Sequence, residues 1–139
     1  MKYFVRKLTA GLSLLLSVNV FASTWNATIV GNDTVAYFFD ADTVQKTPDG
    51  HVLVWEKSVQ KKQADSDGAW STAWRVKLNC KKRTSQVLTS SDYGSDGQFI
   101  KSRNMPGVET EVVPDSIAEA LLKIACEPNF PNDKSGKNF

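Results

Sequence analysis

At 139 residues, with 41% apolar and 23% charged side chains, the chain has the composition of a folded domain and is too short for several of them, which excludes intrinsic disorder and a multidomain machine. The formal net charge is +2, and three of the cations, Lys2, Arg6 and Lys7, crowd the extreme N-terminus, so the remainder is close to neutral. Nucleic acid or an anionic membrane as the main partner would need a concentrated basic face, which this balance does not supply.

Residues 1–22, MKYFVRKLTAGLSLLLSVNVFA, join a charged start to an apolar run from Leu8 to Val20 and to small residues at Val20 and Ala22. The run is too short and too poorly flanked for a stable span, so the pattern predicts a signal peptide cut after Ala22, with an N-terminal membrane anchor as the alternative. No cysteine stands at the cleavage point to take a lipid. The expected organisation is a signal peptide over 1–22, one domain over 23–126 and a flexible tail over 127–139, with no integral membrane segment after cleavage.

From Trp25 onward period-two patterning dominates the chain. Trp25 to Val30 and Val35 to Phe39 read as strands around the turn Gly31-Asn32-Asp33-Thr34, and Asp40-Ala41-Asp42-Thr43 reads as a break capped by side chains. Thr47-Pro48-Asp49-Gly50 is a turn leading into a long strand from His51 to about Gln60, and Asp65-Ser66-Asp67-Gly68 is the next turn. Trp74, Val76, Leu78 and Cys80 alternate with Arg75, Lys77, Asn79 and Lys81, a one-sided strand that puts Cys80 on its buried face. A fifth strand from about Ser85 to Tyr93, a hairpin at Gly94-Ser95-Asp96-Gly97, a short strand around Gln98 to Lys101 and another over Val108 to Val112 complete the β pattern. Ser116-Ile117-Ala118-Glu119 is a capping box opening a helix whose apolar face is Ile117, Ala120, Leu121, Ile124 and Ala125. The fold class expected is α+β: an antiparallel sheet of about six strands with one C-terminal helix on one face.

Cys80 and Cys126 are the only cysteines, and in an exported chain they read first as one disulfide, tying the buried face of a strand to the end of the helix. In the entropic model such a closure restricts the unfolded chain by roughly 4 kcal/mol. The competing reading, thiolates on a metal, has one histidine and no CxxC or HxxxH spacing behind it. No GxSxG, P-loop, GxGxxG or HExxH motif occurs. His51 reads as a strand-start or solvent-facing side chain, Asp40 and Asp42 as turn caps, and Asp65-Ser66-Asp67-Gly68 as a turn rather than a calcium loop, since it lacks the third oxygen ligand and has Trp74 where the bidentate Glu should fall. No catalytic residue, metal ligand or cofactor is expected.

One helix covers one face of a sheet, yet the third strand carries apolar residues in both phases. With Leu53, Trp55 and Val59 assigned to the helix side, Val52 and Val54 fall on the other, and with Phe38 they form the candidate interaction surface, for a second copy in a homodimer or for a protein partner of unknown identity. The bland alternative is cover by loops carrying Trp70 and Phe99.

Trp25, the run Ala36-Tyr37-Phe38-Phe39-Asp40 with Asp42-Thr43-Val44, Gly50-His51-Val52-Leu53-Val54-Trp55, Leu78-Asn79-Cys80, and Val113-Pro114-Asp115-Ser116 leading to Cys126 together resemble the exported bacterial proteins of the surface-adhesin protein E family. The resemblance covers roughly Trp25 to Cys126. It implies the same sheet, helix and disulfide, and an adhesin that binds host matrix and plasma proteins such as vitronectin, laminin and plasminogen, without assigning ligand-binding residues here. The family's named member is a lipoprotein, and this chain lacks the lipidation cysteine. The expected function is a non-enzymatic exported binding protein, adhesin-like, for host or envelope proteins, in the periplasm of a Gram-negative bacterium, secreted or on the cell surface. A periplasmic inhibitor or immunity protein against a hydrolase or toxin is the alternative, and an enzyme built on dispersed carboxylates a third class.

Overall fold

The computed structural model describes residues 25, 27–105 and 107–128; the signal peptide expected over 1–22 and the tail beyond 128 lie outside the described residues. Among the described residues, seven strands and one helix succeed one another in chain order: β1 Ala27–Gly31, β2 Val35–Lys46, β3 His51–Gln60, β4 Ser71–Asn79, β5 Thr84–Tyr93, β6 Phe99–Asn104, β7 Thr110–Glu111 and α1 Ile117–Ala125. The first six form an antiparallel meander in sequence order. β7 pairs with Thr84 and Ser85 of β5 on the edge where β6 takes Thr89 to Tyr93.

Short turns set this connectivity. The hairpins after β2, β3 and β5 are built alike: the N–H of Gly50, Gly68 or Gly97 donates to the carbonyl three residues back, of Thr47, Asp65 or Gly94, at 3.0–3.1 Å. Each of these glycines has φ near +80°, a conformation that side chains with a Cβ rarely adopt. Asp65 adds an Asx cap, its Oδ1 accepting the N–H groups of Asp67 and Ala69 at 2.9 Å.

The expected break at Asp40 is a bulge instead. β2 continues to Lys46, with its register to β3 slipping between Asp40 and Gln45. Asp40 Oδ1 accepts the Asp42 N–H at 3.0 Å, so the capping chemistry read from the sequence is present, but it kinks a strand rather than ending one. Along the far edge the strand expected over Val108 to Val112 contracts to two residues. Val108 is 84% exposed.

In-register pairing fixes which side chains share a face. Val52 stands opposite Leu78, Val54 opposite Val76, and Glu56 opposite both Phe39 and Trp74. Phe39, Val52, Val54, Val76 and Leu78 pack with Leu121 and Ala125 of α1, which makes this the helix face. Full burial of side chains of this size contributes about 1.5–3 kcal/mol each. Half of the capping box forms: the Glu119 N–H donates to Ser116 Oγ at 3.2 Å, whereas Glu119 Oε2 accepts from the N–H of Asp115, one residue before the N-cap, at 2.9 Å. The helix buries Leu121, Leu122 and Ala125. Its C-cap, Cys126, is bonded to Cys80, one residue past β4, closing a separation of 46 residues.

This packing corrects the assignment of Val52 and Val54 to an uncovered surface. Val54 is fully buried and Val52 is 4% exposed, both beneath the helix. Cys80 must face α1 to meet Cys126, which carries Leu78 and Val76 to the same side, and β3 inherits its phase from β4. Leu53, Trp55 and Val59 point the other way. Phe38, opposite Lys57, shares that other face with them and is half-buried.

Candidate functional site

The face opposite the helix is built from alternate positions of β2 to β6. Ala36, Phe38, Leu53, Trp55, Lys57 and Val59 occupy it on β2 and β3, followed by Ser71, Ala73, Arg75 and Lys77 on β4. Tyr93 stands opposite Ser71 and Phe99 opposite Tyr93. Leu53, Trp55 and Val59 are half-buried, and Phe99 is 61% exposed.

Two of the cations sit on indole rings. Lys57 Nζ lies 5.4 Å from the centroid of Trp25, and the Arg75 guanidinium 5.6 Å from that of Trp55. Both distances are within the reach of the cation–π attraction. Arg75 also donates to Gln45 Oε1 at 2.9 Å. Partial burial lowers the guanidinium pKa from its ordinary value, which is high enough that the charge persists at neutral pH. Small side chains at Ser71 and Ala73 leave a concavity of about 280 Å³ between Trp25 and Lys57 on one side and Tyr93 and Gly97 on the other. Tyr93, which lines the concavity, meets Phe99 edge to face with centroids 6.0 Å apart.

The other groups weighed for chemistry are engaged locally. His51 Nδ1 lies 2.9 Å from Asp49 Oδ2, off the line of a good hydrogen bond, and Nε2 lies 3.3 Å from Asn79 Nδ2. Hydrogen bonding from the Thr47 hydroxyl, and then the neighbouring His51, holds the Asp49 carboxyl below the usual carboxylate range. Asp40 is buried in the β2 bulge, 1% exposed. Among the described residues, no group of three His, Cys, Asp or Glu side chains is placed to hold a metal ion.

On the helix side a second polar cluster ties the β3–β4 loop to the sheet. Asp92, 2% exposed, accepts from the Thr72 hydroxyl and from Arg103 Nη2, both at 2.9 Å, and the same guanidinium reaches Asp67 at 3.3 Å. Lys101 joins at 3.3 Å from Asp67 and 3.8 Å from Asp92. Hydrogen bonds from Lys101 and Arg103 lower the Asp67 pKa. Every charge here has a partner within the fold, so the cluster locks the loop rather than offering a site.

Sequence reasoning assembled the candidate surface from Phe38, Val52 and Val54, and only Phe38 lies on the open face. It missed Trp55, Lys57 and Arg75; the signal for Arg75 was present in the alternation of β4, where Arg75 and Lys77 interleave with the half-buried Trp74 and the buried Val76 and Leu78. It also did not single out the exposed apolar side chains Ile100, Met105, Val108 and Val113.

The family model for surface-adhesin protein E matches residues 25–127. No curated protein and no solved structure matches the chain. The matched span begins at the indole that stacks on Lys57, takes in every strand and the helix, and ends one residue past Cys126, so the chain belongs to the surface-adhesin protein E family.

Proposed function

We propose that the chain is an exported, non-enzymatic binding protein of adhesin type that engages a host or envelope protein through the open face of its sheet. The observation that carries this reading is the pairing of Trp25 with Lys57 and of Trp55 with Arg75 on the face that α1 leaves uncovered. Tryptophan and arginine are the side chains enriched where protein contacts concentrate their energy. The opposite face is pinned by a buried core and by the Cys80–Cys126 bond, so these anchors stand on a rigid support, which limits the entropy lost on binding. Membership of a surface-adhesin family supports the choice of an adhesin and of a location outside the cytoplasm, at the surface or in the periplasm of a Gram-negative bacterium.

The test is capture by residues 23–139 from immobilised vitronectin, laminin and plasminogen and from periplasmic extract. Saturable binding that Trp55→Ala weakens at least about tenfold, and that Lys123→Ala on the exposed side of α1 leaves unchanged, supports the reading. Stoichiometric capture and inhibition of a hydrolase or toxin would instead move the protein to the inhibitor class.

A further inference from the structure

The open face is unequal in charge. Its strand positions carry Lys57, Arg75 and Lys77, whereas the acid in register with them, Asp40, is buried in the β2 bulge. Glu109 and Asp49 lie toward the other end, around His51: the Glu109 carboxyl hydrogen-bonds Thr84 and feels Lys82, His51 and Lys77, and Asp49 is held by Thr47 and His51. Lys57, which lines the concavity, and Arg75, two positions along β4 from the lining Ala73, are instead met by ring faces and by the neutral Gln45. An indole face attracts a cation weakly and leaves most of its hydrogen-bonding directions open.

The face is also apolar between its charges. Phe38, Leu53, Trp55 and Val59 are half-buried side chains in alternate rows with Lys57 and Arg75. A sulfated polysaccharide is bound by dense cations with little use for such a floor, whereas an extended protein segment whose every second residue is in turn acidic and apolar would turn both kinds of side chain toward the face, because residues two apart on a strand point the same way.

We propose that the partner presents an extended segment with acidic and apolar side chains at every second position, lying across the open face with its carboxylates on Lys57 and Arg75 and an apolar side chain in the concavity between Trp25 and Tyr93. The inference rests on the open face being the binding surface and adds the chemistry of what binds there. Ser71 and Ala73 supply the depth, since a larger side chain at either position would fill it. The charges on each side of the floor set the register of the segment, as opposed charges do across strand pairs.

The probes are a short fluorescent Glu/Val peptide of repeating Glu-Ser-Val-Ser, which turns Glu and Val to one side, its Lys/Val counterpart of repeating Lys-Ser-Val-Ser and a heparin oligosaccharide, each titrated into residues 23–139. The Glu/Val peptide is expected to bind, to bind about tenfold more weakly to the Lys57→Gln/Arg75→Gln double variant, and to weaken as salt rises. Glutamine keeps much of each stem, and thermal melting establishes that the variant remains folded. Equal binding of the Lys/Val peptide, with both peptides lost in Trp55→Ala, would overturn the acidic partner while leaving the open face as the binding surface. Binding indifferent to Trp55→Ala and to the double variant would overturn the open face itself. Heparin binding that the double variant abolishes, with neither peptide bound, would assign the face to a polysaccharide and overturn the inference.

Discussion

Arg103 Nη2 and Asp92 Oδ2 meet at 2.9 Å across a boundary: the guanidinium side chain is 45% exposed and the carboxylate 2%. Such a pair is asymmetric in its consequences. Removing the cation strands a buried charge, whereas removing the carboxylate leaves a cation that water can solvate. Arg103→Ala is therefore expected to cost about 2–4 kcal/mol, toward the lower end because Lys101 stands 3.8 Å from the same carboxylate, and Asp92→Asn less. Urea denaturation of both variants checks the order. The reverse order would mean that Asp92 is not shielded as described.

Glu56 carries the helix face's clearest electrostatic cost. Its carboxyl lies between the in-register neighbours Phe39 and Trp74, and burial raises its pKa from 4.5 to about 7. Below the unfolded value both states hold the proton and the contribution to stability is fully present. As pH rises through about 7 the folded protein must ionise a desolvated group, and stability falls by about 3 kcal/mol in total. Glu56→Gln should remove that fall, raising the melting temperature at pH 8 by several degrees while changing little at pH 4. Parallel pH profiles of wild type and variant would contradict the assignment.

The two phases of β3 make a sharper packing test. Val54→Ala is expected to cost about 2–3 kcal/mol because it opens space under α1, and the Val52→Lys/Val54→Lys double variant is expected not to fold. Leu53→Ala, on the open side, should cost less than Val54→Ala although it removes more atoms. Thermal melts of the two alanine variants suffice. A larger loss at Leu53 would restore the assignment that packing overturned.

That inversion shows where sequence legibility stops. The strand from His51 to Gln60, the N-cap at Ser116 and the pairing of Cys80 with Cys126 are local patterns or counts, and each stands in the structure as read. The face on which β3 packs is a property of pairing: it depends on Val52 meeting Leu78, a relation between residues on two strands that neither strand encodes alone. Side-chain size pointed the wrong way, since the larger Leu53 and Trp55 are used at the open surface and the smaller valines fit beneath a closely packed helix. Arg75 and Lys77 were legible from the alternation of β4, whereas Trp55 and Lys57 join them only through the pairing of β3 with β4.

The disulfide should carry a stability share set by the 46-residue separation it closes. Cys80→Ser/Cys126→Ser is expected to lose roughly 4 kcal/mol, with α1 released before the meander because the bond fixes the helix at its C-cap. Hydrogen exchange of the α1 amides in reduced protein tracks that order directly, and simultaneous loss of helix and sheet protection would contradict it.

The central claim, that this adhesin-family domain binds through the sheet face α1 leaves open, is tested most directly by the indole N–H signals of three tryptophans. Trp25 and Trp55 lie on the open face, and Trp74 packs against the core on the helix face. During titration of the mature domain with fragments of vitronectin, laminin or plasminogen, or with a partner captured from the envelope, the Trp25 and Trp55 signals are expected to shift or broaden while that of Trp74 stays in place. A response at Trp74 with Trp25 and Trp55 unmoved would place the contact on the helix side and contradict the account.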